Sequence, residues 1–357
     1  MQSSDSFIEK GNTEGENYPF VSLIIPTFNE EKYIGNILEQ MLQQDYPFSK
    51  MEILVADGNS KDKTQEIVKK YSGDNPQIRL LINEKQYVPF ALNLGIKESK
   101  GEYILILGAH SSYPKNYISA LINASISLDA DNVGGLCIGK APDNQVRSIA
   151  IAAALASPFG VGNSLFRIGV NKITKVDTVT FGCYKRSVFD KIGLFDEELL
   201  RNQDDELNAR LIKHKGSIYL LPDISVTYFT RNSIQSVLKM FYQYGFFKPL
   251  VSLKIGKPTT VRQLIPFLFV SFILVSLIAG IWIHKYWYLL GAVMLLHTCM
   301  GIYFSIRIVS MQKNPKLILY LPWLFFLLQF SYGWGYIRGI LKFIVLGQRI
   351  KAVGSSR

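Results

Sequence analysis

Four apolar runs, each released into a polar turn and then into a helical pattern, constrain this chain more than any other feature. Val21-Ser22-Leu23-Ile24-Ile25-Pro26 leads through Thr27-Phe28-Asn29-Glu30-Glu31 to Ile34, Ile37, Leu38, Met41 and Leu42 at helical spacing. Glu52-Ile53-Leu54-Val55-Ala56 leads through Asp57-Gly58-Asn59-Ser60-Lys61-Asp62-Lys63-Thr64 to a helix over 65–71. Ile78-Arg79-Leu80-Leu81-Ile82-Asn83 is followed by a helix containing Ala91-Leu92-Asn93-Leu94-Gly95. The fourth run, Tyr103-Ile104-Leu105-Ile106-Leu107, lacks polar alternation, so it reads as a strand buried on both faces that leaves the core at Gly108-Ala109-His110. Strand and helix alternating at this spacing call for a parallel sheet wound by right-handed crossovers, and the fold class predicted is α/β and Rossmann-like.

Ligands of such a sheet collect beyond the carboxyl ends of its strands, which is where Asp57 and His110 fall. No G-x-G-x-x-G follows the first strand and no G-x-x-x-x-G-K-[ST] occurs, which disfavours dinucleotide dehydrogenases and P-loop NTPases. A nucleotide then needs another grip. Asp57 can accept the N–H of a pyrimidine ring, leaving a diphosphate toward His110. By these residues alone, His110 is equally a surface histidine in the turn after a strand.

Charge divides the chain. Residues 224–357 contain 15 Lys and Arg and not one Asp or Glu, so the whole net charge of +11 resides in this tail. Its charges are interleaved with apolar and aromatic residues, which points to an anionic membrane surface rather than to nucleic acid. Residues 264–284 and 287–306 are apolar stretches with Lys285 between them, each long enough to cross the roughly 30 Å hydrocarbon layer. Lys248, Lys254, Lys257 and Arg262 precede this hairpin, and Arg307, Lys313 and Lys316 follow it. The positive-inside bias therefore puts both flanks in the cytoplasm. A third stretch, 317–336, contains Pro322, Gly333 and Gly335; it either crosses or, as 317–346, folds back or lies in the interface. A basic end with Arg338, Lys342, Arg349 and Lys351 follows. The first 18 residues are polar and mixed in charge, unlike a secretory leader, and Cys137, Cys183 and Cys299 cannot all pair, which fits a reducing compartment. The expected organisation is a flexible segment 1–18, a catalytic domain 19–245, a basic juxtamembrane segment 246–263, a membrane region 264–346 and a basic tail 347–357.

The motifs around the first three strands, in this order and spacing, resemble the family 2 inverting glycosyltransferases of GT-A fold. Phe181-Gly182-Cys183-Tyr184-Lys185-Arg186 and Gly193-Leu194-Phe195-Asp196-Glu197 are similar to that family's acceptor-side elements. Ser157-Pro158-Phe159-Gly160-Val161-Gly162-Asn163, with Gln203 in place of a more usual Glu, resembles the membrane-anchored exopolysaccharide transferases of the succinoglycan type. The resemblance spans about residues 20–250. It implies transfer of a sugar from a nucleotide-sugar donor, a UDP-sugar by expectation, to a lipid-linked oligosaccharide or another membrane acceptor. It also implies donor contacts from Pro26, Thr27, Asn29, Glu30, Asp57, Asn83, Lys85 and Ala109.

Asp204, within Arg201-Asn202-Gln203-Asp204-Asp205-Glu206, stands where the family keeps its catalytic base. Its other reading is the N-cap of a helix over 205–214. The resemblance places Arg201, Asn202, Gln203, Gln243 and Lys248 on the acceptor and diphosphate side, with Arg231 as a further cation; Lys248 reads equally as a juxtamembrane anchor. Gln243-Tyr244-Gly245-Phe246-Phe247-Lys248 is similar to non-processive relatives, implying one sugar per visit. Where relatives carry Asp-x-Asp for a divalent cation, this chain reads Gly108-Ala109-His110. His110 is then the metal ligand, for Mn²⁺ more readily than Mg²⁺. That departure also supports a different class, a non-catalytic membrane-anchored scaffold or partner subunit. Lastly, the apolar run 149–161 is too short to span a bilayer, and reads as an interfacial helix or lid over the acceptor, or as a buried helix.

Overall fold

A computed structural model describes residues 18–258 and 260–349; the expected flexible start, except Tyr18, and the tail from 350 onward, with Lys351, lie outside the described residues. β1 (Val21–Thr27), β2 (Met51–Asp57), β3 (Ile78–Ile82) and β4 (Tyr103–Ile106) are parallel, in the order β3-β2-β1-β4. Helices Ile34–Leu42, Thr64–Asp74 and Val88–Glu98 make the crossovers. The strands lack polar alternation because both faces are covered: Leu23 and Ile25 enter one core cluster with Ile34, Leu38 and Val55, while Ile24 enters another with Leu92 and Ile104.

After β4 the sheet changes character. β5 (Ser111–Ser112), β6 (Asn132–Lys140), β7 (Thr174–Lys175), β8 (Cys183–Lys185) and β9 (Ile218–Phe229) complete nine strands, with β8 antiparallel to both β4 and β6. β9 runs parallel to β6 with a register shift at Gly135/Leu136, and β5 and β7 pair antiparallel to it. This mixed half curls the sheet beside the tips of β1 and β4. It is an α/β GT-A architecture.

The C-terminal third joins this body through one long element. Helix Ile234–Ile255 runs unbroken through the boundary expected at 245/246. Against it lies Leu321–Gly339, and the two backbones approach closely because Gly245, Gly335 and Gly339 carry no side chain. A Cβ on Gly245 would stand 2.0 Å from the Tyr332 carbonyl oxygen, and one on Gly335 2.2 Å from that of Tyr242. The third apolar stretch is therefore a packed helix and not a re-entrant hairpin, with Leu321, Leu324, Phe325 and Leu328 buried.

Val146–Leu155 lies in the same cluster with Val237, Met240 and Phe325, so the first half of the run 149–161 is a buried helix, while Pro158, Phe159, Gly160 and Val161 line a cavity. Two helical stretches, Val261–Ala279 and Lys285–Gln312, have the length and composition to cross a membrane. They present Leu268, Val275, Ile278, Leu295 and Ile306 outward.

Candidate active site

Two loops meet above the tips of β1 and β2, and they are tied residue by residue. Asn29 takes a left-handed conformation, φ 56°; its N–H donates to Ser60 Oγ (2.7 Å) and its side-chain oxygen accepts from Lys61 N–H (2.9 Å). Glu30 N–H donates to Thr64 Oγ1 (2.7 Å). Behind them Asp57 is fully buried, and its carboxylate accepts from Ser60 N–H (2.8 Å), Ser60 Oγ (2.5 Å), Thr27 Oγ1 (3.2 Å) and Gln65 Nε2 (2.8 Å). Asn83 donates to the Tyr87 carbonyl (3.0 Å) and so closes the turn that carries Gln86. These clamps frame a cavity of about 180 Å³ lined by Pro26, Thr27, Glu30, Tyr87, Ala109, His110, Phe181 and Tyr228, among others.

At the rim His110 Nε2 lies 2.9 Å from Glu30 Oε2, and its ring meets Tyr33 edge-on at 4.3 Å. Glu30 is largely enclosed while His110 is half-exposed, so the imidazole faces the opening.

A larger cavity of about 440 Å³ adjoins the first. Thr180 lines it, and the next residue, Phe181, lines the smaller one. Phe181 holds a left-handed φ of 52°, and its carbonyl accepts from Tyr117 Oη (2.5 Å). Gly108 leaves room for its ring, since a Cβ there would sit 2.5 Å from Phe181 Cε1.

Asp204 lines the larger cavity. Asn202, φ 61° and buried, turns the chain and donates to the Tyr244 carbonyl (2.9 Å), and helix Gln203–Lys213 starts directly after it. The helix therefore begins two residues earlier than expected, and Asp204 is inside its first turn rather than capping it. Burial, then the adjacent Asp205 carboxylate, push Asp204 up to about 6, against the pull of Lys248. Lys248 is itself buried and ion-paired to Asp205, which removes the anchor reading. Apolar side chains from Phe159, Phe241, Ile265, Pro266 and Leu328 share this cavity with Arg167, Arg262 and Tyr332.

Comparison with known proteins now decides the family. Residues 22–193 match the profile of glycosyl transferase family 2. A Methanococcus voltae protein, dolichyl N-acetyl-alpha-D-glucosaminyl phosphate 3-beta-D-2,3-diacetamido-2,3-dideoxy-beta-D-glucuronosyltransferase, is 32% identical over 333 residues, which cover 90% of this chain and 98% of that protein. The chain belongs to glycosyl transferase family 2. Succinoglycan biosynthesis protein ExoA of Rhizobium meliloti is 26% identical over 246 residues, 68% of this chain and 73% of its own. In fold, the glycosyltransferase is similar to mannosyltransferase PcManGT of Pyrobaculum calidifontis, solved with GDP-Man and Mn²⁺, at a TM-score of 0.52 and 17% identity, covering 91% of this chain and 87% of that one.

The structure redistributes the residues expected at the site of this glycosyltransferase. Pro26, Thr27, Glu30, Ala109 and His110 line the strand-tip cavity; Asn202, Asp204 and Lys248 line the larger one. Asp57, Asn29 and Asn83 tie the loops together, and the Asp57 carboxylate accepts from Thr27, Ser60 and Gln65. Lys85 and Arg231 are exposed and line neither cavity. Arg201 donates to Gln243 Oε1 (3.2 Å), and neither they nor Gln203 line a cavity. Sequence reasoning named Phe181 and Arg262 in other roles and missed Tyr228, on β9, Arg167, in the short helix Leu165–Ile168, and Tyr332, in Leu321–Gly339.

Among the described residues no group of three or more His, Cys, Asp or Glu gathers to hold a metal. Glu30 and His110 supply one oxygen and one nitrogen, a donor pair that fits Mn²⁺ with further ligands from outside the chain.

Proposed function

We propose that the enzyme moves a sugar, with inversion, from a nucleoside-diphosphate donor in the strand-tip cavity to a hydroxyl of a lipid-linked acceptor in the larger one. The observation that carries this reading is Asp204, a carboxylate raised to about 6 at the wall of a cavity whose lining residue Thr180 is followed by Phe181 in the lining of the first. As the acceptor oxygen bonds to the anomeric carbon, its proton passes to Asp204. The bond from that carbon to the donor phosphate breaks, and the diphosphate leaves with the electron pair. A base with a pKa near the working pH is ionised when the acceptor arrives and still basic enough to take the proton.

A nucleotide base would stack in the pocket framed by Pro26, Thr27 and Tyr87, with Asp57 holding that frame rigid. Glu30 and His110 would hold a divalent cation, whose charge neutralises the leaving diphosphate. Phe181 excludes water between the two compartments.

The acceptor reading rests on where the larger cavity opens. Ile265 and Pro266, at the foot of the first apolar helix, are part of its wall, so an acceptor anchored in a bilayer has its reacting end delivered to Asp204. Lys254 pairs with Asp196 and Glu198, and Arg262 with Asp177, so two of the cations expected to sense the membrane instead bind the catalytic body to it. Lys257, Arg307, Lys313 and Lys316 remain for the anionic surface, and we place the catalytic domain on the cytoplasmic side of the inner membrane. Incubating membranes with radiolabelled nucleotide sugars tests the proposal: label should enter the lipid fraction with the wild type and not with Asp204→Asn.

A further inference from the structure

We infer that the cavity beside Asp204 contains a phosphate subsite for the acceptor, built from Arg167 and Tyr332, and that its ligand is an isoprenoid-type lipid phosphate. This rests on the reading of that cavity as the acceptor site. Three cationic side chains line the cavity, and two are already neutralised: Lys248 by Asp205 and Arg262 by Asp177 (2.7 Å). The third differs. No carboxylate among the described residues pairs with Arg167, whose guanidinium stands over the Phe166 ring, 5.3 Å from its centroid. A planar fork held on an aromatic face inside a cavity is suited to bidentate capture of an oxyanion.

The second observation is independent of the first. Tyr332, on the helix packed against Ile234–Ile255, lines the same cavity, and its buried hydroxyl has no hydrogen-bond partner. An orphaned buried donor costs free energy that a ligand oxygen recovers. Burial holds this phenol well above its ordinary pKa, so it stays a proton donor. Both groups line the one cavity, which is what a phosphate subsite requires of them.

The remaining wall specifies what the phosphate is attached to. Phe159, Leu328, Ile265 and Pro266 are apolar, and Ile265 is 60% exposed where the first apolar helix begins. A free sugar phosphate would leave that surface wet. A lipid phosphate fills it with its first isoprenoid units, and a sugar carried on that phosphate reaches Asp204.

The test uses the full-length protein in nanodiscs, with the strand-tip cavity saturated by UDP or GDP. Binding of farnesyl phosphate is compared with that of farnesol and inorganic phosphate. Farnesyl phosphate should bind saturably. Arg167→Gln should weaken it by about tenfold or more and Tyr332→Phe by roughly threefold. Arg167→Lys should fall between wild type and Arg167→Gln, since it keeps the charge but not the fork. Nucleoside-diphosphate binding should not change in any of them, which also reports that each variant is folded. Farnesol binding as well as farnesyl phosphate, displacement of the lipid phosphate by the nucleotide, or unaltered affinity in Arg167→Gln would each overturn the inference. If farnesyl phosphate does not bind while the nucleotide does, only this subsite is lost; full transfer by Asp204→Asn would instead remove the proposed function beneath it.

Discussion

The ammonium of Lys248 meets the carboxylate of Asp205, one residue past Asp204, in a largely enclosed setting. The pair is a brake on titration. Burial and the Asp205 charge raise Asp204, and Lys248 holds that rise in check, leaving the carboxyl at about 6.

Asp204→Asn should lower turnover by on the order of 10²–10⁴ while nucleoside-diphosphate binding persists, measured by single-turnover assay and calorimetry. The folded carboxyl lies above its ordinary 3.8, so the stability this group contributes is full below that value and lost as pH rises through about 6. The asparagine variant should therefore melt higher than wild type at pH 7.5, with the gap closing as pH falls toward 4. A variant less stable at pH 7.5 would contradict the placement of Asp204.

In the wild type kcat/KM should climb as Asp204 ionises, with its acid limb near pH 6. Lys248→Met removes the lowering charge and leaves Asp205 unpaired, so the limb should move to higher pH. An unmoved limb would detach Lys248 from the base.

His110→Ala and Glu30→Gln should each raise the Mn²⁺ concentration needed for half-maximal activity, and chelation by EDTA should suppress transfer. His110→Asp should restore activation by Mg²⁺ in part, because a carboxylate suits the harder ion. Full activity under EDTA would end the metal role.

Gly245→Ala should destabilise the protein by roughly 1–3 kcal/mol, because a Cβ 2.0 Å from the Tyr332 carbonyl forces two packed helices apart. Thermal unfolding in detergent reads the loss. Transfer should fall with it, since Lys248 and Tyr332 lie on the separated helices.

A cysteine at His284, in a background without Cys137, Cys183 and Cys299, should react with a membrane-impermeant maleimide from outside intact cells. Labelling only after permeabilisation would invert the proposed orientation.

The parallel half of the fold was legible because strands buried on both faces have to be continuous apolar runs, as in β1, β2 and β4. The mixed half was not: β5, β7 and β8 span two or three residues each, too short for any period to register. Asp204 was placed by the resemblance, and its cap reading fell to Asn202, whose left-handed turn no spacing announces. Asp57 was found, but not the bonds it accepts from Thr27, Ser60 and Gln65. Composition cannot say whether a carboxylate faces a ligand or three of its own chain's side chains. Lys248 looked like a membrane flank because linear sequence places it beside apolar helices, whereas the fold turns it inward onto Asp205. Arg167 and Tyr332 gave no signal at all, being separated by about half the described chain and sharing only a cavity wall.

The continuity of helix Ile234–Ile255 has a cellular consequence. A soluble fragment ending near residue 245 would keep the nucleotide compartment but surrender Lys248, Arg262 and Tyr332, three contributors to the chamber around Asp204. Severed from lipid, such a fragment would be a donor-holding half-enzyme. On the proposed reading, the architecture would restrict sugar transfer to the place where the acceptor is embedded.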